Sequence, residues 1–502
     1  MPPISPDQYQ LPPVTFLCLT TPSSELAGYF EEILRLAAFE PKILASIGQD
    51  LTHNGLEKKK SRLEDACWNS PDQAVLPGLS EDPEVQKEQK LVLASGRPRM
   101  SALACYFFWM LSTRGGGVKT EKTREYLLES KSVELFLQKQ GIKVPGLSTI
   151  QDNVNAIRPE TRKLIFDTQI AMALQEGLDD FEKIQFDSTP VDANTAWPTD
   201  SGLIWKLCRR LMKRILNLKL LGVPSDKIPE MDEAVKELKS LDFRINCCPA
   251  NQSEKRKELY RELLDEAEDA SHLFTLKLKE LRPQIIAVDL KPSKRERLMK
   301  WVHAIEQDLA DLYRTILHCI ERVLEDKSRS AEEKLLSIAD PDANYLKKGN
   351  REARIGYKPQ LARSEKGLVT ALIVPEGNAG DAPLLQSLCK QSFERAGVVA
   401  KETSGDGGYA SKANRKWLLE TGVKKPSFSS SKGKAITPTE DWESLDFLNL
   451  RKWRSAVEAL MSQLKDKVDF GAVVKRGWKR VKLELTDKVL AFNFMRLSML
   501  RS

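Results

Sequence analysis

Histidine is scarce, four in 502 residues, and none of the eight cysteines falls into a C-x-x-C pair. Structural zinc needs thiolate and imidazole ligands at short, repeated spacing, so this pattern excludes a zinc-cluster protein. Reduced, mostly buried thiols are expected instead. No run approaches the roughly 18 to 20 consecutive apolar residues that cross a bilayer. Met1 to Gln10 has neither the basic start nor the apolar stretch of a signal peptide. A cytoplasmic protein with no membrane partner is expected. No Ser/His or Cys/His arrangement suggests a covalent nucleophile. What the chain does have is apolar mass (41%) and charge (30%), the balance of a soluble globular protein. Its length exceeds one ordinary hydrophobic core, so several domains are expected.

The net charge of +7 is mild, but its distribution is not. Tyr409 to Ser502 carry 20 Lys/Arg against 10 Asp/Glu, which leaves the rest of the chain slightly acidic. Within this stretch Lys475, Arg476, Lys479, Arg480 and Lys482 surround Trp478. That grouping suits phosphate contacts beside one flat side chain, or equally a solvated basic face.

Along the chain, Pro-rich stretches (Pro2, Pro3, Pro12, Pro13) precede an amphipathic piece from Leu26 to Ala38. Short helical patterns follow at Ser101 to Leu111, Glu121 to Leu128, Val133 to Gln138 and Ser148 to Ile157, the last with Ser148 and Thr149 as N-caps. Such a run fits a helix-turn-helix DNA reader or a small bundle without a ligand. A helix at Thr161 to Leu178 leads into Phe181-Glu-Lys-Ile-Gln-Phe-Asp187, which alternates as a strand does. Helical pattern then runs for over a hundred residues. In it Leu298, Val302, Ile305, Leu309, Leu312, Ile316, Cys319 and Val323 mark a heptad seam, with Glu254 to Leu281 as the expected antiparallel partner. Arg354 to Ala362 and Leu368 to Val374 read as paired strands about the turn Ser364 to Gly367. Next come a helix from Asp381, a strand Val398 to Ser404, a helix Ser411 to Thr421 and an amphipathic helix Leu450 to Lys467.

Three carboxylates stand out by position: Asp187 and Asp406 at strand ends, and Glu458 on the late helix. Carboxylates from separate elements, gathered at one sheet edge, hold divalent cations for phosphoryl transfer. Asp192, five residues after Asp187, is the rival for the first position. The segments Asp187-Ser-Thr-Pro-Val-Asp-Ala-Asn and Gly405-Asp406-Gly-Gly-Tyr, with Arg454-x3-Glu458-x6-Lys465, resemble the DDE transposases of bacterial insertion sequences. Arg451 stands where that family's Tyr-x2-Arg-x3-Glu-x6-Lys pattern has tyrosine. Trp197-Pro-Thr-Asp-Ser, Asp340-Pro-Asp-Ala, Tyr357-Lys, Gly377-Asn-x2-Asp381, Gly96-Arg-Pro and Leu147-Ser-Thr-Ile-Gln extend the resemblance over roughly residues 90 to 502.

The resemblance implies an α/β, ribonuclease-H-like catalytic core interrupted by a long helical, coiled-coil-like insert and preceded by an all-α helix-turn-helix-type domain. The boundaries expected are an arm at 1–87, a helical DNA-binding domain at 88–178, a core at 179–200 and 338–470, the insert at 201–337 and a basic segment at 471–502. It implies that Asp187, Asp406 and Glu458 are catalytic and bind Mg2+, with Mn2+ able to substitute. Arg451, Arg454, Lys465, Lys475, Arg476, Lys479 and Arg480 would contact DNA. The implied partners are double-stranded DNA, as transposon terminal inverted repeats and target, and a second copy of the chain in a homodimer working at the bacterial nucleoid. The alternatives are a nuclease on the same scaffold without strand transfer, and a non-catalytic DNA-binding protein derived from a transposase.

Overall fold

The computed structural model describes residues 25–66, 100–223, 225, 229–249, 251–327, 333–347 and 352–502. The first prolines, Cys18, Cys67 and Gly96-Arg-Pro lie outside the described residues. The chain divides into two compact units. One draws on the segments up to Asn54, from Pro98 to Asn194 and from Asp342 to Ser502; the other draws on Gly55–Arg97 and Thr195–Pro341.

The first unit opens with helices α1 (Glu25–Phe39), α2 (Lys42–Ala66, which runs past the unit boundary), α3 (Ala102–Arg114), α4 (Glu121–Glu129), α5 (Lys131–Lys139), α6 (Leu147–Ala156) and α7 (Pro159–Gln175). Ser101, Thr120 and Ser130 each accept a backbone N–H at the start of a helix, so short polar side chains set where α3, α4 and α5 begin. The capping expected from Ser148 and Thr149 does not occur. Helix α6 starts earlier, with Gly146 at the cap position and no side-chain cap, so both residues fall inside its first turn. The helices between Ala102 and Gln175 share one unit with the main sheet.

Strands β1 (Lys183–Ser188) and β2 (Val191–Asp192) follow, and after the second unit come β3 (Asn344–Leu346), β4 (Arg354–Tyr357), β5 (Gln360–Ser364) and β6 (Val369–Ile373). The continuous strand expected from Arg354 to Ala362 is broken at Lys358-Pro359, where proline supplies no N–H to a ladder. Its first half joins a three-stranded sheet, β2-β4-β3, and its second half joins the main sheet. The β5–β6 turn falls where expected, with Gly367 at φ +89°. The chain continues through β7 (Glu402–Gly405) and β8 (Lys425–Phe428), the latter not foreseen. The main sheet runs β6-β5-β1-β7-β8. Its first three strands are antiparallel, and β7 and β8 run parallel to β1. A mixed sheet of this order in a mixed α/β chain is consistent with a ribonuclease-H-like domain.

In the second unit α8 (Asp200–Leu216), α9 (Pro229–Cys247), α10 (Ser253–Ala287) and α11 (Pro292–Cys319) build a helical body around one apolar core. Every seam residue from Leu298 to Cys319 is buried, as its heptad spacing requires, and Val323 packs against the same core. The partner differs from expectation in that α11 packs more extensively on α8 than on α10. Helix α10 runs past the expected end at Leu281 to Ala287, with Pro283 inside it. A buried Asp308 holds this core's polar interior, bridged by Arg210 and Arg214.

The remaining helices of the first unit are α12 (Asp381–Ala396), α13 (Lys412–Thr421), the short α14 (Ser430–Ile436) and α15 (Thr439–Glu443), then α16 (Leu445–Arg454), α17 (Ala456–Val468) and α18 (Trp478–Arg501). The single helix expected from Leu450 to Lys467 is two helices, broken at Ser455. Most of the stretch read as a basic segment is α18, which buries Val481, Leu485, Val489, Leu490 and Phe494 against α1, α3 and α7. Burying each such side chain fully contributes roughly 1.5 to 3 kcal/mol. Asp487 of α18 pairs with Arg162 of α7 inside that core.

Candidate active site

Residue alternation decides which way the carboxylates face. In β1, Gln185 donates to the Trp453 carbonyl of α16 at 2.6 Å, and in β7 the Ser404 hydroxyl donates to the Leu450 carbonyl of the same helix at 3.1 Å. These two residues are register partners, so α16 covers that face of the sheet. Asp187 lies two residues beyond Gln185, and Asp406 two beyond Ser404, on the same face. Phe186 stands opposite Gly405 in the parallel ladder, so the two aspartates come level on neighbouring strands, where strand spacing is about 4.8 Å. Both are half-buried.

The turn after β7 is shaped by close approach. Neither Gly407 nor Gly408 takes a positive φ, so glycine is needed here for space and not for a left-handed backbone. A Cβ on Gly407 would strike Ser430, and one on Gly408 would lie 2.6 Å from Asp381 Oδ2. Within the turn, the Gly407 N–H donates to Asp406 Oδ1 at 2.6 Å and the Ser429 hydroxyl to the same oxygen at 3.3 Å.

Glu458 stands in the first turn of α17, its side chain 76% exposed. Arg454, the last residue of α16, lies between the acids. Its Nη1 is 3.8 Å from Asp406 Oδ1 and its Nη2 is 4.0 Å from Glu458 Oε1. One guanidinium therefore neutralises two of the three carboxylates at long range. Among the described residues no group of three or more His, Cys, Asp or Glu side chains is close enough to hold a metal ion. Asp187 and Asp406 nevertheless form an all-oxygen, partly exposed pair of the chemistry that hard divalent cations take. Glu458 could join them by replacing its contact with Arg454.

Asp192 stands apart, in the smaller sheet, with its carboxylate 3.2 Å from Arg354 and its backbone bonded to Gly471 and Val473. Lys465 is exposed on α17. Arg451 packs over the Trp442 ring at 3.9 Å and donates to its carbonyl, and desolvation lowers its pKa below the usual arginine range. Arg476 donates to the Asn194 carbonyl at 3.0 Å. The Lys475 backbone N–H is held by Glu484, while Lys479 and Arg480 are exposed at the start of α18. Trp478 is packed, its indole N–H donating to the Val374 carbonyl.

Residues 323–494 match the family model described as the transposase DDE domain. The likeness to DDE transposases holds. Neither the curated proteins nor the solved structures gave a match. A DDE domain implies a metal-dependent DNA-cleaving enzyme and supports a transposase role. The matched span contains Asp406 and Glu458 but not Asp187, which the β1–β7 pairing brings beside Asp406. Among the described residues no helix is long and apolar enough to cross a membrane.

Beneath the Asp406 turn, Gln360 joins residues that the sequence motifs name separately. The Tyr409 hydroxyl donates to Gln360 Oε1, Gln360 Nε2 donates to Asp381 Oδ1 at 2.8 Å, and Lys358 Nζ lies 2.6 Å from the same oxygen. Burial, and then the charges of Asp381, Asp187 and Asp406, push the Tyr409 phenol well above its usual pKa, so it stays a neutral donor. Gly377-Asn-x2-Asp381 is the sequence signal that points to this group.

Proposed function

We propose that this chain is a transposase that cleaves DNA at transposon ends and joins the freed 3′-hydroxyl to target DNA. The observation that carries this reading is the level pairing of Asp187 and Asp406 at the carboxyl ends of two parallel strands in a chain matching the transposase DDE domain. Asp187 and Asp406 would hold Mg2+, or Mn2+ in its place, with Glu458 turning in as the third ligand. When bound, the metal supplies activation of the attacking oxygen and charge stabilisation of the leaving one.

The protein's own residues do the rest. Asp187 is held in the ladder and Asp406 in the turn that directly follows it, so their geometry is set before substrate arrives. Arg454, displaced from Glu458, would contact a phosphate flanking the scissile bond, and Lys465 the next. Lys475, Arg476, Lys479 and Arg480, with Arg451, extend a basic surface suited to backbone contacts that position DNA without reading its sequence. Helices α4 to α6 supply the helix-turn-helix element proposed to read the terminal repeats, and two ends call for a homodimer. The nucleoid is the site of action that these partners imply.

The test is a duplex oligonucleotide carrying the inverted repeats that flank the gene, incubated with the full chain, Mg2+ and a target plasmid. Mg2+-dependent nicking followed by joined product is expected. Nicking without joining, given a preformed 3′-hydroxyl end, would indicate a nuclease; neither product in Mg2+ or Mn2+ would leave a DNA-binding protein only.

A further inference from the structure

The geometry points to Asp381 as a positioning residue that holds the Asp406 turn in register from the opposite face of the sheet. Gln360 pairs with Ser188 across the β1–β5 ladder, so its side chain lies on the face away from Asp187. There Phe186 meets the Tyr409 ring, with centroids 6.3 Å apart, and α12 packs over β5 and β6. Asp381 opens α12, where a carboxylate is favoured by the helix dipole, and it is mostly buried. Its Oδ1 takes both Gln360 and Lys358, while Oδ2 faces the Gly408 backbone so closely that no side chain fits between. Gln360 in turn receives the Tyr409 hydroxyl, and Asn414 Nδ2 donates to the carbonyls of Ala382 and Tyr409 at 2.8 and 2.9 Å.

The turn Asp406-Gly-Gly-Tyr409 is thus pressed between Ser429 and Ser430 on one side and Asp381 on the other. Asp381 reaches no substrate from that face. What it fixes is the backbone that aims Asp406, and through Gln360 it ties that backbone to β5, the ladder partner of the strand bearing Asp187. Groups that orient a metal ligand without touching the metal typically change affinity by roughly 10- to 100-fold when removed. This inference rests on the reading of Asp187 and Asp406 as metal ligands.

The experiment measures Mn2+ binding by the full-length protein, from the electron paramagnetic resonance signal of unbound Mn2+, together with the Mn2+ concentration that half-saturates end cleavage. Asp381→Ala should weaken Mn2+ binding about tenfold and raise the half-saturating concentration by the same factor, with cleavage at saturating Mn2+ largely restored. Asp381→Asn keeps an oxygen for Gln360 and should stay within about threefold of the parent. Gln360→Leu, which leaves Asp381 in place, should weaken Mn2+ binding in the same direction and serves as the probe if Asp381→Ala does not fold. The inference is overturned if folded Asp381→Ala or Gln360→Leu binds Mn2+ as the parent does while Asp406→Asn does not. If Asp187→Asn and Asp406→Asn also bind and cleave like the parent, the active-site reading itself falls.

Discussion

Two arginines of the same unit face carboxylates in opposite ways. Arg162 grips Asp487 with two parallel hydrogen bonds, 2.7 and 3.1 Å, at 2% and 6% side-chain exposure, under the Trp109 ring at 5.0 Å. Arg454 stands 3.8 and 4.0 Å from Asp406 and Glu458, at 24%, 28% and 76% exposure for the three side chains. A sealed, bidentate pair has spent its charge on the fold: removing one partner leaves a buried ion without compensation. A loose, half-solvated set keeps its charge available, because each contact exchanges with water or an incoming ion at little cost. The same residue types are sealed in one place and loosely paired at the surface in the other, and packing makes the difference.

The largest expected effect lies on the loose side. Asp187→Asn and Asp406→Asn should each lower end cleavage on the order of 10³- to 10⁴-fold, several kcal/mol of transition-state stabilisation, while thermal unfolding barely moves. If melting falls in step with activity, the two regions are not distinct in the way their geometry says. On the sealed side, Asp487→Ala should lower unfolding free energy by about 3 to 5 kcal/mol, measured by denaturant titration. Replacing both partners, Arg162→Met with Asp487→Leu, should recover much of that loss, because the cost comes from the orphaned charge. Smaller again, Arg454→Ala should change stability by less than about 1 kcal/mol. By removing a competing cation beside two carboxylates, it should also tighten Mn2+ binding roughly threefold to tenfold. Unchanged or weaker Mn2+ binding would mean that Arg454 organises the site.

The sequence made one of these regions visible and not the other, for physical reasons. Asp187 and Asp406 sit at strand ends, where period-two alternation and a Gly-Asp-Gly turn mark them, and the β1–β7 register sets them level. Glu458 was legible by its spacing from Arg454 and Lys465, but the break at Ser455 was not, since helical periodicity continues across it. The Arg162–Asp487 pair joins residues 325 apart in the chain, a separation that no local pattern encodes. Asp381 is visible in Gly377-Asn-x2-Asp381, but its contacts with Gln360 and the Gly408 backbone are not, because they join segments whose pairing no local pattern states. Helix α18 was masked by its composition. The basic residues at Lys475 to Lys482 drew the reading toward a surface segment, whereas Val481, Leu485, Val489 and Phe494 at helical spacing place the rest in the core.

That split within one segment yields the smallest effect and the finest test of the comparison. Lys479 and Arg480 are exposed at the start of α18, whereas Lys488, two turns on, is buried, with its ammonium held by the Asp469 and Ala472 carbonyls and Glu484 3.2 Å away. If exposed charge is what serves DNA, Lys479→Ala with Arg480→Ala should weaken binding to any duplex about equally. It should also flatten the dependence of log affinity on log salt by about 2, since each phosphate left without its cation removes roughly one unit of slope. Lys488→Met should leave that slope unchanged while lowering stability, because it strips the counter-charge from buried Glu484, which keeps only its backbone N–H donors, and removes the ammonium from two carbonyls. Titrations at several salt concentrations, with melting measured alongside, separate the outcomes. A slope change from Lys488→Met equal to that of the exposed pair would show that burial does not divide the two kinds of charge here.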